Sequence, residues 1–100
     1  MSDKIYTLDE IKAIAAPIAR QYGVAAMYLF GSYARGDMTS GSDIDLRIDK
    51  GSIRGFQLAG LLLDLEDSLG VPVDLVPTTS LDSHFLDSIR KDEVLLYEAS

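Results

Sequence analysis

Two aspartates one residue apart, Asp43 and Asp45, follow the pair Gly31-Ser32 after ten intervening residues. Those residue types at that spacing suit chemistry on a phosphate. A glycine lets the backbone come close to a phosphate oxygen. The serine adds a hydroxyl and an amide, and if a helical turn begins there its free amides form an anion site. Carboxylates two apart on a strand point to the same side, with alpha carbons about 6.5–7 Å apart. They repel by on the order of 2–3 kcal/mol at an effective dielectric near 20. Asp74, flanked by Val73 and Leu75, can bring a third negative charge from a neighbouring strand. A divalent cation removes the conflict, and oxygen-only ligation points to magnesium or manganese. Alone, Asp-x-Asp is commonly a solvated strand face, and Gly-Ser commonly a turn. The combination of strand, Gly-Ser, loop, acidic strand and third acid suggests a site for moving a nucleotide.

The elements that must position these residues follow from periodicity. Thr7 to Glu10 has the spacing of a capping box. It predicts a helix over residues 8–22 with Ile11, Ile14, Ala15 and Ile18 inward, a bend at Pro17 and an end at Gly23. Residues 24–30 are a continuous apolar run, the pattern of a strand covered on both faces, stopped by Gly31-Ser32. A loop follows over 33–42, with room for one helical turn at its start. Residues 43–49 alternate strictly: Asp43, Asp45, Arg47 and Asp49 on one face, Ile44, Leu46 and Ile48 on the other. Leu58, Leu61, Leu62, Leu65 and Leu69 form one stripe of an amphipathic helix closed by Gly70. A third strand over 71–76 is bounded by Pro77. Ser80 then caps a last helix over 81–91 with Leu81, Phe85 and Ile89 inward, and 94–97 adds a short strand. Two strands follow each other directly, so the sheet is expected to be mixed.

Composition narrows the function. The 100 residues, 47% apolar and 25% charged, make one globular domain. The absence of cysteine excludes disulfides and thiolate metal sites and fits a reducing compartment. The first ten residues lack the apolar core of a signal peptide, and the greasy stretch 58–65 is too short to span a bilayer. A cytoplasmic protein without membrane contact is expected. The net charge of −7, with no basic stripe, argues against nucleic acid as a partner of this chain alone. A nucleoside triphosphate is different, because it arrives with its own magnesium.

Gly31-Ser32, ten residues and Asp43-Ile44-Asp45 resemble the signature of the DNA polymerase β superfamily of nucleotidyltransferases. The fuller string GSYARG…SDIDL is similar to that of its minimal nucleotidyltransferase (MNT) branch, and the likeness covers nearly the whole chain. The resemblance implies an α+β two-layer nucleotidyltransferase fold, a small mixed sheet with helices packed on one face. It implies that Asp43 and Asp45 bind two magnesium ions, that Asp74 shares the ion beside the attacking hydroxyl and helps deprotonate it, and that Gly31 and Ser32 hold the β and γ phosphates of ATP. Arg35 has two readings: a partner of transition-state phosphate charge, or a pin for the loop through Asp37 or Asp43. Arg47 is read as moderating the charge of the acidic face, His84 as a helix-surface residue, and Tyr33 as a packing or nucleotide-edge residue.

The same resemblance implies a partner. MNT proteins act as antitoxins that adenylylate a helical HEPN-type RNase toxin, encoded nearby, on tyrosine. No acceptor-binding domain is visible in this chain, so the acceptor must bring the second surface, and a homo- or hetero-oligomer stays open. Two alternatives stand beside this. One is a binding module whose acidic surface occludes the partner without catalysis. The other is nucleotidyl transfer to a small molecule with a helper subunit completing the pocket.

Overall fold

The capping box forms as spelled. In the computed structural model, which describes residues 5 to 99, Thr7 Oγ1 accepts from the Glu10 amide (3.1 Å) and Glu10 Oε1 accepts from the Thr7 amide (2.9 Å). Helix α1 (Leu8–Tyr22) runs from that cap and closes at Gly23. Ile11 and Ala15 face the core, and Ala19 takes the next buried place. Ile14 and Ile18 are only part-buried at the edge of the stripe. Strand β1 (Ala26–Phe30) begins two residues later than the apolar run, because the Val24 amide still bonds back to the Ala19 carbonyl (3.4 Å).

From Phe30 the chain passes without a linker into α2 (Gly31–Arg35), the single helical turn for which the sequence leaves room. Strand β2 (Ile44–Asp49), helix α3 (Gly55–Leu69) and strand β3 (Val73–Pro77) follow. Pro77 is the last residue of β3, tolerated because β3 is an edge strand. A 3-10 turn (Thr78–Ser80) leads to α4 (Ser83–Arg90) and β4 (Val94–Glu98). Ser80 does not cap α4. The Thr78 hydroxyl donates to the Ile48 carbonyl (3.0 Å) and ties that turn to β2, and Asp82 caps instead, its Oδ1 accepting from the Phe85 amide (2.8 Å).

The sheet is mixed, with strand order β3-β2-β1-β4. β1 is antiparallel to β2 and to β4, whereas β2 and β3 are parallel. Register pairs Met27 with Ile48 and Leu29 with Leu46. These side chains, with Ile44, share one core with Ile11, Ala15, Leu61, Leu65 and Leu69, so α1 and α3 form the second layer. The Tyr6 hydroxyl donates to the Leu69 carbonyl, and the Val73 amide donates to Glu66 Oε2 (3.1 Å), fixing the end of α3 against its neighbours. Residues of opposite parity, Tyr28 with Arg47 and Phe30 with Asp45, make the other face. Among the described residues, no helix is long and apolar enough to cross a membrane.

Candidate active site

Gly31 is where the fold and the chemistry meet. Its φ of 75° lies in the left-handed region, and a Cβ built there would come within 3.1 Å of Asp45 Cγ and closer still to Oδ2. Only glycine lets α2 start flush against that carboxylate. Ser32 follows, half-buried in the same turn, and Tyr33 is buried as a packing residue. Asp45 is presented by β2, one strand over from Phe30, its register partner. Asp74 stands beside it on the far side, paired with it across the parallel β2–β3 ladder. Asp43 precedes β2 by one residue, exposed, after a turn that Ser42 closes through its amide to the Thr39 carbonyl (3.0 Å) and its Oγ to the Thr39 amide (2.8 Å).

Burial, and then the charges of Asp74 and Asp43, push the Asp45 carboxyl up to about 6, with Arg35 pulling the other way. The fold therefore brings the three predicted carboxylates into electrostatic contact, with Asp45 at the centre. Among the described residues, no three of them close into a ready-made metal cage. The donors are all carboxylate oxygens, the set that a hard divalent cation takes. A carboxylate whose charge is disfavoured by burial and by like-charged neighbours is where added positive charge is most favourable.

The remaining predicted residues divide. Arg35 pairs with Asp37 (Nε to Oδ2, 3.2 Å), as the loop-pinning reading requires, while its charge still reaches Asp45. Arg47 does more than moderate the acidic face: it is 2% exposed. Its Nε and Nη2 donate to Glu93 Oε2 and Oε1 (3.0 and 2.7 Å), its Nη1 donates to Thr78 Oγ1 (2.7 Å), and the Tyr28 ring lies 4.0 Å from Cζ. Burial works against that charge, but the Glu93 hydrogen bonds and the charges of Glu93 and Asp49, with Tyr28, together outweigh it and the pKa is raised. His84 is exposed on α4.

A cleft of about 360 Å³ opens beside Asp45. Its lining joins Gly31, Ser32, Arg35 and Asp45, from α2 and β2, to Phe85, Ser88 and Asp92, from α4 and the residues just after it. Sequence reasoning places Phe85 in the core, but it is 44% exposed, because α4 is short and buries only Ile89. Spacing carries no signal for Ser88 or Asp92.

A family profile described as "Polymerase beta, Nucleotidyltransferase" matches residues 12–100. The chain belongs to that family. This nucleotidyltransferase is 33% identical over 93 residues to protein adenylyltransferase MntA of Thermococcus cleftensis, covering 88% of this chain and 94% of that one. Its fold superposes on a protein provisionally called a minimal nucleotidyltransferase, with TM-score 0.76 and 28% identity over 89% of this chain and 95% of the other. It is also similar to a chain of a crystal structure of a toxin–antitoxin with AMP-PNP, with TM-score 0.74, 26% identity and coverage of 93% and 76%. The nucleotidyltransferase fold expected from the signature is the one observed, a mixed four-stranded sheet with helices.

Proposed function

We propose that this nucleotidyltransferase moves AMP from magnesium ATP to a tyrosine hydroxyl of a helical HEPN-type partner in the cytoplasm, and so acts as an antitoxin. The observation that carries the reading is the register that sets Asp74 beside Asp45, on the same side as Gly31-Ser32. The similarity to MntA and to a toxin–antitoxin chain crystallised with an ATP analogue supports the choice of donor and partner.

Gly31 and Ser32 hold the β and γ phosphates through backbone amides and the serine hydroxyl. Asp43, Asp45 and Asp74 would hold two magnesium ions, whose charge stabilises the entering and departing oxygens. Asp74 stands on the edge strand, open to an incoming acceptor, and takes the proton of its hydroxyl. The hydroxyl oxygen bonds to the α-phosphorus, the bond from that phosphorus to the bridging oxygen breaks, and pyrophosphate leaves. Arg35 holds the loop through Asp37 and adds positive charge near Asp45.

The test is incubation with labelled ATP, magnesium and the neighbouring gene's product. Label is expected on a tyrosine of that product, and Asp45→Asn should reduce transfer at least ~100-fold, the scale of a lost preorganised charge. Folded wild type that leaves the partner unlabelled sinks the reading. A variant that protects against the partner as well as wild type does would make occlusion, not transfer, the mechanism.

A further inference from the structure

We propose that α4 and the residues just after it form the nucleoside subsite: Phe85 is the surface on which the base of the donor nucleotide stacks, and Ser88 and Asp92 face its sugar. This rests on the reading of Asp74 as the acceptor's proton acceptor and extends it. In the strand order, Asp74 on β3 and Phe30 on β1 lie on opposite sides of Asp45. An acceptor delivered to Asp74 occupies the β3 side. The cleft opens on the Phe30 side, and Asp74 is not part of its lining. That side is left to the donor.

The two sets of lining residues match the two ends of a nucleotide. Gly31, Ser32 and Arg35 suit the anionic tail. The α4 set offers an aromatic ring, a hydroxyl and a carboxylate. Asp92 would repel phosphate, but a carboxylate is a good acceptor for ribose hydroxyls. Phe85 is 44% exposed, yet its ring is held edge-to-face against the buried Phe30, centroids 6.2 Å apart at 88°. A large aromatic held in one pose at a cleft is a stacking platform rather than a stray surface residue. The α4 segment is also anchored at both ends. Asp82 caps α4 at its start, and just beyond its end Glu93 is clamped by Nε and Nη2 of Arg47, at 3.0 and 2.7 Å. The volume, about 360 Å³, lies within the range of small-ligand sites.

The chain has no tryptophan, so Phe85→Trp installs a single indole reporter at the platform. Magnesium ATP should quench it and magnesium tripolyphosphate, which has no base, should not. By calorimetry, Phe85→Ala should bind ATP about tenfold more weakly and tripolyphosphate unchanged, the scale of one lost base stack. Phe56→Ala, which removes an 80% exposed ring on α3, should bind both like wild type. ATP bound equally by wild type and Phe85→Ala overturns the inference. So does a Phe85→Ala variant that loses partner labelling while ATP affinity holds, because the platform would then serve the acceptor. Wild type that binds tripolyphosphate as tightly as ATP also overturns it and leaves the transfer chemistry standing. Wild type that binds neither removes both.

Discussion

Asp45 is held in a conflict that burial and then its charged neighbours create. Gly31 packs against its carboxylate, and Asp43 and Asp74 add like charge from both sides of it. Such arrangements cost stability and persist where function requires them. The cost has a pH signature. Folding pushes the Asp45 carboxyl up to about 6 from its ordinary 3.8, so between those values the folded state binds more protons than the unfolded one. Stability from this group is therefore greatest below about 4, and falls as pH rises through 6. Asp45→Asn removes the titration. The difference in stability between variant and wild type, measured by denaturant unfolding without divalent cations, should grow in the variant's favour from pH 4 to 6 and level off above 7. A difference that stays flat across that range would mean that neither burial nor like charge disfavours the Asp45 carboxylate in the fold. The variant is expected to be more stable and inactive together, the usual opposition at a functional site.

At the scale of elements, the periodic parts were legible and the contact-dependent parts were not. The capping box of α1, the alternation of β2 and the leucine stripe of α3 are local patterns, and each forms where the spacing predicts. The signature residues were legible for the same reason, because Gly31 to Asp45 is one continuous segment. Asp74 was legible only as a charge inside an apolar run, and the parallel register then gives it a partner. Arg47 shows the limit. Its ion-pair partner Glu93 lies 46 residues away and is brought to it by the β4 side of the sheet, which no local spacing encodes. The same holds for Phe85, whose helical spacing reads as core while its helix sits off the main core. The Arg47–Glu93 pair joins the strand of Asp45 to the segment after α4, and among the described residues no buried side-chain nitrogen or oxygen lacks a partner. Removing one partner from a buried pair is costly, whereas replacing both with apolar residues is often nearly neutral. Arg47→Met should lose about 3 kcal/mol by denaturant unfolding, and Arg47→Met with Glu93→Leu should recover most of it. A double variant no better than Arg47→Met would assign the loss to the Tyr28 and Thr78 contacts instead.

The whole molecule carries a net charge of −7, part of it gathered on one side of a four-stranded sheet. Like charge destabilises a compact state through self-repulsion, and salt weakens that repulsion. Sodium chloride raised from about 10 to 150 mM, where the screening length falls to ~8 Å, should therefore raise the melting temperature modestly and without regard to the site. Magnesium acts in two ways that must be separated. At matched ionic strength its screening contribution is held constant, and any excess stabilisation reports binding to the folded state alone. With magnesium ATP a hundredfold above its dissociation constant, that excess is about 2.7 kcal/mol. For a chain of 100 residues it corresponds to a shift of roughly 10 °C or more. Asp45→Asn should keep the response to sodium chloride, since only one of the 16 acidic residues has changed, and lose the excess from magnesium ATP. If the variant keeps both responses, the ligand is bound by something other than the acidic face. If wild type shows screening alone, the three aspartates and Gly31-Ser32 are a fold without a working site.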